Sequence, residues 1–547
     1  MSQAAPGPAS ESVWVADDTE PVLDTTVASI LRDAARRSPD TTALVAGTAD
    51  PAARRRWTYA ELLADAQGAA RALAARFEPF ERVAVVATSI PESLILTYAA
   101  ALAGVVLVPV NPALRAAELR HVLGQSGTAG AFVVPEHRGR DLTATLDALR
   151  PDLPALREVV SFDDWDAFCA VAPSAPSAPS APADSADLAT RAPSPDDVAQ
   201  LVYTSGTTGA PKGALLTHRG MTNAARFGAM RFGMQPGDVY VQTMPLFHVG
   251  GQVVSFQLCQ LSATAVLVPA FDPGLVLELV EAEGATLTCG VPTMLLALVE
   301  HPDFGRRDLS SLRAVSGGGA VVPAELVRHI EAALGVRFAV VFGQTEACGF
   351  ISQTHLDDGA EDKGATLGRP LPGVGARVVD PERGTAVGRG VVGELEVRGP
   401  NVMAGYHDLP EESAAAVGPG GWLRTGDLVT MDERGYLRMA GRRKEMIVSG
   451  GENIFPVEIE NALLEHPDVS QAAVVGVPDP RWGEAAVAVV VPAATRSPDP
   501  ADLEAYLRER LAAFKVPRRW VLVDDLPRTA SGKVQKHVVR EQIAEPH

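Results

Sequence analysis

Residues 203–213 read YTSGTTGAPKG, so four Ser/Thr hydroxyls, three glycines and one lysine share eleven positions. Glycines let backbone N–H groups converge on an anion, hydroxyls add donors, and a lysine supplies a mobile charge. A polyphosphate is the ligand that suits this chemistry. Gly, Ser and Thr are also ordinary loop residues. Here they are interleaved and directly follow the apolar run AQLVY, where ligand loops sit in α/β sheets. A Walker loop is excluded, because Gly213 stands where Ser or Thr must follow the lysine, and no GxGxxG opens a helix here.

The surrounding chain supplies the elements to hold such a loop. β-branched runs such as RVAVVA and GVVLVPV alternate with Ala/Leu-rich helical stretches such as YAELLADAQGAARALAARF. That alternation predicts an α/β fold with largely buried parallel strands. The apolar stretch 94–110, LILTYAAALAGVVLVPV, is at the lower limit for a membrane span and contains Gly104 and Pro109; it reads as a buried helix running into a buried strand.

With 547 residues, the chain exceeds what one core supports. We read residues 1–22 as a flexible tail, 23–442 as a large domain with several subdomains, and 443–547 as a small mobile α/β domain. The Ser/Ala/Pro repeat at 172–184 cannot bury a core and reads as a disordered insertion within the large domain.

The balance of 48 Lys+Arg against 67 Asp+Glu, a formal charge of −19, argues against nucleic acid or an anionic membrane as main partner. An anionic substrate must therefore find a local positive site. Cys169, Cys259, Cys289 and Cys348 form no CxxC pair, which suits a reducing cytoplasm and gives neither a zinc site nor a disulfide framework. The N-terminus lacks the pattern of a secretory signal, and no integral membrane segment is expected.

The opening motif resembles the signature of the adenylate-forming superfamily: acyl-CoA synthetases, firefly-type luciferases and adenylation domains of peptide synthetases. The rest of that family's motifs follow in order: PLFHVGG (245–251), GGGA (317–320), FGQTE (342–346), GYHDLPEES (405–413), GWLRTGDL (421–428), GRRKEMIVSGGENI (441–454) and PRTASGK (527–533). The resemblance covers nearly the whole chain. It implies that a carboxylate attacks the α-phosphorus of ATP, releasing pyrophosphate, and that a thiol then captures the acyl-adenylate. A carboxylate is already ionised at neutral pH, so positioning and charge neutralisation carry the rate.

By resemblance, Lys533 is the catalytic lysine bridging carboxylate and α-phosphate, Thr345 donates to that phosphate, and Glu346 is the Mg2+ ligand. Thr204, Ser205, Gly206, Thr207, Thr208, Gly209 and Lys212 cradle phosphates. Phe342, Gly343 and Gln344, with Gly319 and Ala320, border the nucleotide; Val321 departs from a frequent proline. Asp427 accepts from the ribose hydroxyls, assisted by Arg442. Lys444 is the hinge about which the small domain rotates, bringing either Lys533 or the CoA loop, Ser449, Gly450 and Gly451.

The acyl pocket implied comprises His248, Val249, Gly250, Gly318, Gly343 and Gly349. His248 occupies the position at which amino-acid-activating relatives place an Asp, so an amino acid is disfavoured; a core histidine bonded to backbone is its alternative. Gly343 replaces the Trp of acetate-activating members and reads as leaving room. The segment VPTMLLALVEH lacks the Arg of malonate-activating members, and a second carboxylate against Met294 and Leu295 would cost several kcal/mol. A hydrophobic monocarboxylic acid, fatty, alicyclic or aromatic, is expected. A carrier-protein phosphopantetheine is the alternative acceptor to CoA, and a homodimer is left open. A luciferase-like oxygenase has no sequence support, and a non-catalytic relative would have lost Lys533 or Glu346.

Overall fold

The computed structural model describes residues 11–170, 188, 190–204, 211–318, 322–449, 452–493, 498–528 and 534–544. Its helices begin and end where local chemistry dictates. Thr58 caps the helix Tyr59–Ala74 by accepting from the Glu61 N–H, and Glu61 returns a bond to the Thr58 N–H; such a reciprocal cap contributes about 1 kcal/mol. Pro91 opens the helix Pro91–Ala103, and Gly104, at φ 70°, ends it in the left-handed region that only glycine enters freely. Every residue from Ser93 to Ala103 is buried, and the chain turns into the fully buried strand Val106–Val110. This is the helix-to-strand arrangement expected for the apolar stretch. No helix among the described residues is long and apolar enough to cross a membrane.

Val106–Val110 lies in a seven-stranded sheet, parallel to Arg82–Val86 and Val198–Tyr203. At one edge Val198–Tyr203 pairs antiparallel with Gly213–Thr217, which in turn pairs with the two-residue strand Gly405–Tyr406. A nine-stranded sheet includes the parallel neighbours Leu287–Gly290, Ala314–Gly318 and Arg337–Phe342. Helices Val27–Arg37, Tyr59–Ala74, Pro91–Ala103 and Val249–Leu261 contribute to the largest core. Covered strands need no polar face, which is why their sequences read as unbroken apolar runs.

A six-stranded antiparallel sheet carries Trp422–Met431 beside Leu437–Arg442. The chain then passes through the short turn Arg443–Glu445 into a five-stranded sheet in which Val469–Asp479 pairs with Gly483–Pro492. The fold is therefore mixed α/β, with a large N-terminal and a small C-terminal domain.

The flexible-tail reading needs correction from Glu11 onward. Val13–Trp14 pairs with Ala376 and Arg377, the Ser12 hydroxyl donates to the Gly388 carbonyl at 2.8 Å, and Arg226 pairs with Glu20 at 2.6 Å. Trp14 packs against the large core and over Gly435, and that apolar contact anchors a segment whose composition alone looks polar. The insertion at 172–184 lies outside the described residues.

Candidate active site

The phosphate-loop motif is spanned by an antiparallel strand pair. Tyr203 faces Gly213 across the two strands, and the Thr204 N–H donates to the Lys212 carbonyl at 2.9 Å, closing the neck of the loop. Helix His218–Phe232 begins only after the second strand, unlike a strand-to-helix phosphate loop. Ser205, Gly206, Thr207, Thr208 and Gly209 lie outside the described residues. Lys212 leaves the neck with its Nζ 5.3 Å from the centroid of the Tyr406 ring.

The Tyr406 hydroxyl donates to Glu346 Oε1 at 2.9 Å. Burial, and then the Glu346 carboxylate, push this phenol well above its ordinary pKa, so it remains a donor at neutral pH. Glu346 and Thr345 share one tight turn, Thr345–Ala347, whose preceding residue Gln344 accepts at its carbonyl from the N–H groups of Ala347 and Gly349. Cys348 at φ 49° and Gly349 at φ 80° reverse the chain. The buried Asn401 amide donates to the Phe350 carbonyl at 2.7 Å, and the Met403 N–H to the Glu346 carbonyl at 2.8 Å. Lys212, Tyr406 and Glu346 thus form one continuous chain. Neither Tyr406 nor Asn401 is singled out by the sequence reading; Tyr406 stands within GYHDLPEES, whereas Asn401 lies in none of the recognised motifs.

Asp427, 1% exposed, sits opposite Arg442 in neighbouring strands, and Arg442 Nε lies 3.0 Å from Asp427 Oδ1. Beside them opens a cavity of about 400 Å3 lined by Thr425, Gly426, Arg442, Arg443 and Lys444. Three consecutive cations line it, Arg442 paired with Asp427 and Arg443 with Glu394 at 3.1 Å. Desolvation and then Arg442 draw the Lys444 ammonium below the ordinary lysine value, against the pull of Glu445, Asp427 and Glu346. Lys444 therefore senses at once a carboxylate of the strand Trp422–Met431 and one of the turn Thr345–Ala347.

Phe342 ends its strand beside Ser352. Gly318 pairs with Val341, and a Cβ at Gly318 would lie 2.3 Å from the Val341 carbonyl; Gly319 and Ala320 lie outside the described residues. A Cβ at Gly343 would lie 2.1 Å from the Gly349 carbonyl. With this backbone the bareness of Gly343 is a requirement of the turn, whatever it borders. A Cβ at Gly349 would meet Val249 at 3.2 Å and Gly250 at 3.6 Å, so the turn packs directly on the start of the helix Val249–Leu261. His248 caps that helix, its Nδ1 accepting from the Gly250 N–H at 3.2 Å. Leu295 is 1% exposed within a core cluster and is structural.

In the small domain, Ser449 pairs with Glu452 across a hairpin; Gly450 and Gly451 lie outside the described residues. Arg528 and Val534 form an antiparallel bridge, and the Gln535 N–H donates to the Pro527 carbonyl at 2.8 Å. These bonds join the two ends of the segment bearing Lys533, which lies outside the described residues. Lys536, mostly buried, bridges Glu445 at 3.0 Å and Glu460 at 2.8 Å.

Residues 31–407 match the AMP-binding enzyme family and residues 458–533 the AMP-binding enzyme C-terminal domain. The chain is 39% identical to a feruloyl-CoA synthase of Amycolatopsis sp. over 93% of its length and 97% of the relative's. It is 36% identical to the 3-[(3aS,4S,7aS)-7a-methyl-1,5-dioxo-octahydro-1H-inden-4-yl]propanoyl:CoA ligase of Rhodococcus jostii, over 95% and 99%. The crystal structure of ATP-bound MatB from Rhodopseudomonas palustris superposes with a TM-score of 0.84 at 31% identity, covering 96% and 99% of the two chains. The chain belongs to the AMP-binding enzyme family. Within it, the protein is an ATP-dependent acyl-CoA synthetase, with ATP and coenzyme A as cosubstrates.

Proposed function

We propose that the protein activates a hydrophobic monocarboxylic acid, fatty, alicyclic or aromatic, as its acyl-adenylate with release of pyrophosphate and then transfers the acyl group to CoA. The observation that carries this reading is the chain Lys212–Tyr406–Glu346 together with the Asp427–Arg442 pair at a cation-lined cavity, Lys444 of that cavity feeling both Asp427 and Glu346. In this reading Asp427 takes the ribose hydroxyls, Arg442 assists, and Thr345 with the 204–212 loop holds phosphate oxygens. Lys533 steadies the phosphorus under attack, and Lys444 is the pivot between two half-reactions. The small domain begins at residue 443 in the same reading, and the free cysteines accord with a cytoplasmic enzyme.

Glu346 fits a magnesium site. It offers a hard carboxylate with Oε1 held by a phenol, the kind of donor that Mg2+ combines with phosphate oxygens and water. When bound, the cation neutralises charge on the triphosphate. An apolar acid is supported by the buried helix Val249–Leu261, whose first turn touches Gly349, and by the ring-bearing acids in the names of two relatives.

A pyrophosphate-release screen across acids, with and without CoA, tests the reading. Release with aromatic, alicyclic or medium-chain acids and CoA-dependent thioester formation are expected. Release with amino acids alone would overturn the substrate assignment, and transfer only to a phosphopantetheinyl protein would overturn the acceptor.

A further inference from the structure

Tyr406 touches two groups of the site at once. Its hydroxyl donates to Glu346 Oε1 at 2.9 Å, and its ring lies under the Lys212 ammonium at 5.3 Å. The residue is itself held firmly. Its backbone pairs with Ala214 in the strand that leaves the phosphate loop. Its N–H donates to Ser413 Oγ at 2.8 Å, and that hydroxyl also lies within bonding distance of the Leu409 carbonyl, 2.6 Å away. Glu346 is pinned at its other end, where its carbonyl accepts from the Met403 N–H. A carboxylate fixed at the backbone and at one oxygen has little rotamer freedom left, and its second oxygen keeps a defined direction.

We propose that Tyr406 is a positioning residue for ATP activation, aiming the Glu346 carboxylate at the cation through its hydroxyl and seating Lys212 over its ring. This rests on the reading of Glu346 as the magnesium ligand. The two functions of the side chain are separable, because phenylalanine keeps the ring and discards the hydroxyl. Hydrogen-bond partners of metal ligands typically contribute about tenfold or more in metal affinity, whereas an exposed cation–π contact contributes roughly threefold.

The test uses the full-length protein with ATP and no acid, reading Mn2+ binding by electron paramagnetic resonance and metal-free ATP binding by calorimetry. Tyr406→Phe should weaken Mn2+ binding about tenfold and leave metal-free ATP affinity unchanged. Tyr406→Leu should add a roughly threefold loss of metal-free ATP affinity. Glu346→Gln should weaken Mn2+ binding by more than about tenfold, and adding Tyr406→Phe to it should cost nothing more, since the hydroxyl has then lost its ionised partner. That coupling distinguishes positioning from a general loss of packing, which would give additive effects. Unchanged Mn2+ binding in Tyr406→Phe, or additivity in the double variant, overturns the inference while leaving Glu346 as the ligand. Unchanged Mn2+ binding in Glu346→Gln overturns the ligand reading itself.

Discussion

Arg442 Nε lies 3.0 Å from Asp427 Oδ1, the two residues facing each other across adjacent antiparallel strands. A carboxylate buried to 1% exposure is costly to maintain without such a partner, and a two-oxygen acceptor matches a ribose diol. Asp427→Asn should therefore weaken ATP binding by about tenfold to a hundredfold, the range expected for charge-assisted hydrogen bonds. Calorimetric titration with ATP checks it. An unchanged dissociation constant would remove Asp427 from the nucleotide site.

Lys533→Ala separates the half-reactions. Acyl-adenylate formation should fall by about a hundredfold or more, because a positioned cation stabilises the transition state by several kcal/mol. Thioester formation from preformed acyl-adenylate should persist. Measured by pyrophosphate release and by CoA-thioester yield, equal loss in both steps contradicts the assignment of Lys533 to the first step alone.

Gly343→Ala should be more damaging than its single methyl suggests. The new Cβ would lie 2.1 Å from the Gly349 carbonyl, so the turn bearing Thr345 and Glu346 must shift. A loss of about 1–3 kcal/mol in urea unfolding, with a lower adenylation rate, is expected. A variant as stable and active as the parent would show that the turn does not need a bare Gly343.

His218 provides a pH signature. It is buried, its Nδ1 accepts from the Val27 N–H at 3.2 Å, and burial lowers its pKa to about 4, with Asp197 opposing. The folded pKa lies below the ordinary value of about 6.5, so protonation favours unfolding. Its stabilising contribution is complete above about pH 6.5 and is lost as pH falls toward 4. Between pH 7 and 5 the loss should be about 2 kcal/mol. Urea unfolding at both pH values should show the parent losing more stability than His218→Gln; equal losses would exclude His218 as the cause.

The local elements of this fold are plain in the sequence because short-range rules determine them. The Ala/Leu-rich run from Tyr59 announces a helix, and an apolar run interrupted at Gly104 announces a helix ending in a strand. The nucleotide-side motifs are likewise visible one by one. Their partners are not, since the Tyr406 hydroxyl meets a carboxylate sixty positions away only after the strand Gly405–Tyr406 joins a distant sheet edge. The anchoring of residues 11–22 is hidden for the same reason: Trp14 has no local partner, and its strand neighbours lie at 376 and 377. Gly343 meets the same limit: the sequence shows only an absent side chain, and its closeness to the Gly349 carbonyl emerges once the turn has folded.

Lys536 clasps Glu445, the residue just past the proposed pivot, and Glu460 in the next helix. That pair of bonds couples the turn Arg443–Glu445 to the start of the helix Lys536–Ala544. In the proposed rotation, this clasp makes the turn Arg443–Glu445 and the helices that begin at Pro456 and Lys536 move as one piece.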